Sequence, residues 1–176
     1  CPRPVQYSRK VLPIIGTPTH GTFPSCHAGL VFSLATTLES LDNEHTTPNP
    51  VTKFTGDANN MLSKIIEKRS FRLAERIAEN RVVAGVHFPI DNQMGALVGT
   101  CVAEYLLTSF SESNTKVQTW KIDAGNYDQD APFRLEKYAH LINCKHESRS
   151  IPSTGSRSSL LLKNLYQHAK EEWRFS

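Results

Sequence analysis

Apolar residues in the first 110 positions of this chain recur three and four apart, and almost nothing there alternates with period two. A period near 3.6 gathers side chains on one side of a helix, whereas a half-buried strand needs period two. A sheet is a poor solution for such a segment, and the expected fold class is all-α, a helical bundle. Leu30, Val31, Leu34, Leu38 and Leu41 predict a helix over 28–41, with Ser25 as its N-cap. Met61, Leu62, Ile65 and Ile66 predict one over 57–68, and Leu73, Ala74, Ile77 and Ala78 one over 71–83. A fourth follows Pro89, with Met94, Leu97, Val98, Cys101 and Tyr105 on one face. Gly95 and Gly99 lower its propensity but permit close approach to a neighbour.

Seven prolines and glycines fall within residues 1–27, which read as an extended, turn-rich entry loop. Residues 42–56 read as a connecting loop. Past Thr108 the texture turns polar, with a Ser- and Arg-rich linker over 148–159 and a last helix over 159–173. That helix carries Leu161, Leu162, Leu165, Tyr166 and Ala169 and is expected to dock on the bundle. The organisation expected is a helical core over 1–108 and a polar linker with a helical extension over 109–176.

Composition excludes several classes. At 39% apolar and 21% charged residues the chain is globular in character. Its longest apolar stretches, 30–35 and 95–103, fall far short of the roughly 20 residues a bilayer requires, so no membrane span is expected. A net charge of +3 with no basic run gives no footprint for nucleic acid. Cys1, Cys26, Cys101 and Cys144 form no CxxC pair and are read as thiols rather than disulfides. The chain begins with Cys and displays no signal-peptide pattern, so a soluble protein lacking its natural start is expected, with its compartment open. His20, His45, His140, His146 and His168 lack metal-ligand spacing; no metal site is expected and no role is assigned to them.

Three short patterns carry chemistry: Arg3-Pro4, Pro24-Ser25-Cys26-His27, and Arg81 through His87 to Asp91. Pro89 suits the first turn of a helix, which puts Asp91 at the third helical position. A carboxylate there reaches back as in a capping box and can bond one ring nitrogen of His87, leaving the other nucleophilic. Ser25 and His27 open another helix, whose unpaired N–H groups and dipole make an anion site. Arg3 and Arg81 add forked, permanently charged donors suited to a tetrahedral oxyanion. The sum is a phosphate pocket with two histidines.

These residues, over roughly 1–108, resemble the type 2 phosphatidic acid phosphatase and vanadium haloperoxidase superfamily, and look like its soluble bacterial branch. The resemblance implies that His87 is a nucleophile forming a phosphohistidine, that Asp91 orients it, and that His27 protonates the leaving alkoxide and later activates water. It implies that Arg3, Ser25, Cys26 and Arg81 hold the phosphoryl oxygens. No cofactor is implied for a phosphatase. For a haloperoxidase the same pocket would take vanadate on His87, with halide and peroxide as substrates. Gly85-Val86-His87-Phe88-Pro89 looks more like the phosphatase form, so a metal-independent phosphomonoesterase acting on a small phosphorylated substrate is the first expectation.

Two positions depart from the family pattern. The motif Lys would precede residue 1, and Cys26 stands where the family has Gly. A side chain at 26 is expected to crowd the pocket if a glycine backbone is needed there, and a thiol at a helix start is expected to be oxidation-sensitive. A disabled, oxyanion-binding remnant is therefore a further alternative. Family members are often larger, so this chain is expected to complete its core with a second copy or with further helices, exposed apolar surface being the sign.

Overall fold

The computed structural model describes residues 2–12, 14–17, 19–43, 68–110, 116–119, 132–134, 147–150 and 160–173. In chain order these form α1 (Pro4–Tyr7), α2 (Cys26–Asn43), α3 (Arg69–Val83), α4 (Pro89–Phe110), β1 (Lys116–Thr119), β2 (Glu147–Ser150) and α5 (Leu160–Trp173). The regular elements among the described residues are thus helices apart from one short antiparallel pair, in which Lys116 faces Ser150 and Thr119 faces Glu147. The all-α expectation holds at that level. The pair itself was not foreseen, and β2 falls partly on the segment read as linker. The predicted helix over 57–68, apart from Lys68, which stands just before α3, most of the 42–56 loop and the remainder of the linker lie outside the described residues.

The entry segment is not all loop. Pro4 supplies a fixed φ at the first position of α1, and the Arg3 N–H donates to Gln6 Oε1 at 2.6 Å, closing a single turn. Helix α2 starts at Cys26 and runs to Asn43, into what the sequence presents as a loop.

The principal contact is α2 against α4, made by small residues. A Cβ added at Gly99 would fall on the backbone carbonyl of Gly29, and one at Gly95 on the carbonyl oxygen of Ser25. The close approach that Gly95 and Gly99 permit is therefore realised. Around this crossing Ala28, Phe32, Ala35, Phe71, Ala74, Ala78 and Ala96 form the core, with Phe133 from beyond the 108 boundary. Phe32 meets Phe71 and Phe133 edge-on, each at 6.0 Å between centroids. Asn92 on α4 donates to Ala78 O on α3 at 2.5 Å, tying the third helix in. At the far end Lys68 bridges to Glu39 at 3.0 Å, and that contact raises the Lys68 pKa.

Helical period located these helices, but on α2 it picked the wrong face, and on α3 and α4 it was right only in part. Leu30, Leu34 and Leu38 are exposed on α2, Leu73 on α3, and Val98 and Tyr105 on α4; of the predicted stripes, Leu41, Ala74, Ala78 and Leu97 are buried. The reason is packing distance. Helices that cross on glycine and alanine leave no space for leucine between them, so the long side chains turn outward. Leu161, Leu162 and Leu165 on α5 are exposed too, although Tyr166 stacks on Phe110 of α4 at 5.5 Å. The expected exposed apolar surface is present. No helix among the described residues is long and apolar enough to cross a membrane.

Candidate active site

The three sequence patterns converge where α2 and α4 begin and α3 ends. Ser25, buried, is the residue before α2, and its Oγ accepts from the Ala28 N–H at 3.4 Å, the N-cap role expected of it. The Ser25 N–H donates to Asp91 O at 2.8 Å, so the first turns of α2 and α4 are joined directly. The positive ends of two helix dipoles meet there.

Helix α3 delivers Arg81 in its last turn and then stops. Ala84 N–H reaches Asn80 O, Gly85 N–H reaches Val82 O, and Gly85 takes φ +72°, a left-handed value that glycine adopts without strain. A Cβ at that residue would lie 2.9 Å from Val5 Cγ1 and closer still to Val11. The reversal carries His87, 2% exposed, to the start of α4. Pro89 is the first helical residue and Asp91 the third, as the sequence predicts. Asp91 Oδ2 accepts from the Phe88 N–H at 2.8 Å and stands 3.4 Å from His87 Nδ1. The carboxylate caps the helix and flanks the imidazole at once. Ring geometry turns Nε2 away from the carboxylate.

Arg3 is fully buried and works mainly as a clamp. Its NH1 donates to Val86 O at 2.7 Å, and its NH2 to His20 O at 3.0 Å and to Gly21 O at 3.4 Å. One guanidinium thereby fixes the backbone beside His87 against the loop leading into α2. Val5 N–H adds a bond to Gly85 O at 3.1 Å. The sequence marks Arg3 as an oxyanion ligand; its part in assembling the pocket, and the arrival of His20, are not visible there.

Cationic side chains gather at this meeting point. His27, exposed at the second residue of α2, has its pKa lowered, first by partial burial and then by the charges of Arg81, His87, His20 and Arg3. Arg81 is lowered by burial and then by Arg3, so the two guanidiniums feel one another. Arg81 Nε, His87 Nδ1 and Thr22 Oγ1 are buried without a hydrogen-bond partner among the described residues. A buried donor left open amid like charges leaves space for an acceptor of negative charge.

Cys26 is the first residue of α2, with its thiol exposed. A helical backbone is open to any residue, so position 26 does not demand glycine on conformational grounds. Neither Cys26 nor Cys101 forms a disulfide; Cys1 and Cys144 lie outside the described residues, as do His45, His140 and His146. No cluster of three or more His, Cys, Asp or Glu side chains suited to a metal occurs among the described residues. Comparison with protein-family models, curated proteins and solved structures found no match.

Proposed function

We propose that this protein is a metal-independent phosphomonoesterase of the type 2 phosphatidic acid phosphatase and vanadium haloperoxidase superfamily, acting through a phosphohistidine at His87. The observation that carries the reading is the meeting of Arg3, Ser25, His27, Arg81, His87 and Asp91, drawn from three separated stretches of sequence, around a buried Arg81 Nε with no partner among the described residues. A phosphoryl dianion is matched by the Arg81 fork and the open N–H groups of the first turn of α2, with the Ser25 hydroxyl and the Cys26 amide among the donors.

In this mechanism the negative charge of Asp91, 3.4 Å from His87 Nδ1, favours the proton on that nitrogen, so the Nε2 lone pair attacks phosphorus. As the P–N bond forms the ester P–O bond breaks, and His27 gives its proton to the departing alkoxide. Neutral His27 then takes a proton from water. The resulting hydroxide attacks phosphorus, the P–N bond breaks, and phosphate leaves with both histidines restored.

Vanadate is also a tetrahedral oxyanion, and the donors that suit phosphate suit it equally; bound there, it would supply peroxide activation for halide oxidation. One experiment separates the readings: p-nitrophenyl phosphate hydrolysis at acidic pH, with and without orthovanadate, beside His87→Ala and an acid-labile, alkali-stable phosphoprotein assay. Hydrolysis that vanadate inhibits, with label on the wild type and neither signal in His87→Ala, is the expected result. Vanadate-dependent bromide oxidation without hydrolysis moves the protein to the haloperoxidase reading. Silence in both assays identifies the inactive remnant.

A further inference from the structure

The outward side of α2 is apolar where water favours polar side chains. Among the described residues of this helix the exposed positions are Cys26, His27, Leu30, Leu34, Leu38 and Asp42, and all but His27 follow one another at intervals of four. That spacing sets them in one row along the helix, opposite the side that packs Ala28, Phe32 and Ala35 into the core. Leu30, Leu34 and Leu38, exposed by 60%, 52% and 41%, fill the middle of the row over about 12 Å. No charged residue falls between His27 and Glu39. Beside the row Thr37 is half-buried, and its hydroxyl donates to Ser33 O at 2.9 Å, so it asks nothing of a partner. Leucines exposed singly are ordinary on a protein surface, whereas three in an unbroken row with no charge among them form a contact surface.

Two properties of the row select its occupant. The row is symmetric about Leu34, with a leucine four residues to either side and, eight residues to either side, Cys26 at the helix start and Asp42 near its end. An interface between identical copies must be complementary to itself, and this one is. A second α2 laid antiparallel, with the two-fold axis at Leu34, sets each Leu30 against Leu38 of the other copy. The charged ends match in that arrangement as well. Asp42, with 62% of its side chain exposed although Lys68 Nζ lies 3.7 Å away, meets the start of the other α2, where open N–H groups form the positive end of the dipole. A parallel pairing would instead set Asp42 against Asp42 and one helix start against the other.

We propose that the row Leu30, Leu34 and Leu38 is an interface between two copies of this chain, antiparallel and two-fold about Leu34. Three half-exposed leucines a side cover well under the roughly 800 Å² of a standard interface, which makes the dimer weak, with a Kd of roughly 10–100 µM. The interface stands whether or not the site hydrolyses phosphate esters.

Sedimentation equilibrium from about 5 to about 500 µM tests it on the wild type and Leu34→Glu, with circular dichroism confirming that the variant keeps its helices. The wild type is expected to pass from monomer to dimer across that range. Leu34→Glu sets two carboxylates face to face on the axis and is expected to weaken association at least about tenfold. Asp42→Cys reports the direction of the helices, because a short bismaleimide is expected to join position 42 of one copy to Cys26 of the other, as read by peptide mass spectrometry. Those positions lie about 24 Å apart along one helix, too far for the linker to join them within a chain. A wild type that stays monomeric throughout, an association that Leu34→Glu leaves unchanged, or a linker that joins position 42 only to position 42 overturns the proposal. So does a monomeric Leu34→Glu that melts well below the monomeric wild type, since the row is then covered within a single chain.

Discussion

Replacing Gly99 with Ala sets two physical effects of opposite sign against each other. By helix propensity alone, Ala in the interior of α4 is favoured by about 1 kcal/mol. The structure opposes it, because the new Cβ would fall on Gly29 O and would lie 2.8 Å from Gly29 C and 2.9 Å from Gly29 Cα. All three are backbone atoms of α2 and cannot rotate aside. The contact with Gly29 O lies well inside any allowed separation, so α2 and α4 must part by about an ångström or more. Overpacking of this kind costs about 1–3 kcal/mol. The same movement stretches the 2.8 Å bond from Ser25 N–H to Asp91 O, with a loss of about 1 kcal/mol. The net is a destabilisation of about 2 kcal/mol, which at this chain length lowers Tm by roughly 4–8 °C. Circular dichroism melts of the wild type, Gly99→Ala and Gly16→Ala measure it, since nothing lies within 4 Å of a Cβ at Gly16. A Gly99→Ala Tm equal to or above that of the wild type would refute the packing argument.

Gly85→Ala meets both a left-handed φ of +72° and the side chains of Val5 and Val11, and is expected to destabilise the fold by about 1–2 kcal/mol in a urea titration. In the proposed mechanism His27 is protonated to serve the leaving group; its pKa is depressed, so kcat/KM is expected to fall as pH rises through a value below 6.5, and a plateau extending past pH 7.5 counts against His27 as the acid. The same depression means that the unfolded chain takes up this proton more readily, so the His27 contribution to stability is lost as pH falls below 6.5 toward the depressed pKa, which melts between pH 7 and pH 5 can follow in wild type against His27→Gln. Inorganic phosphate is expected to slow alkylation of Cys26, whose exposed thiol sits in the first turn of α2 beside the proposed anion site, as read by peptide mass spectrometry; unchanged labelling at saturating phosphate would place the anion elsewhere.

Helix positions were legible in this sequence because period 3.6 and the Pro89 start signal are local properties. The buried face of α2 was not. Leu30, Leu34 and Leu38 form a better apolar stripe than Ala28, Phe32 and Ala35, and only the glycine-to-glycine crossing of α2 and α4 reverses the preference. The His87 and Asp91 relation was legible for the same local reason, four residues apart at a helix start. Arg3 acting as a clamp was not, since its acceptors Val86 O and His20 O are backbone atoms that bear no mark of their partner in the sequence. Phe133 likewise enters the core from a stretch whose composition reads as polar extension.

The hydrogen bond from Ser25 N–H to Asp91 O also bears on how the molecule fails when heated. It joins the residue two before His27 to the residue four after His87, so a tremor of either helix start is passed to the other. The two imidazoles ride on one rigid unit rather than on two hinged ones. Loss of the proposed activity on heating should therefore coincide with collapse of the α2 and α4 pair, without an earlier phase in which a folded protein has lost its alignment.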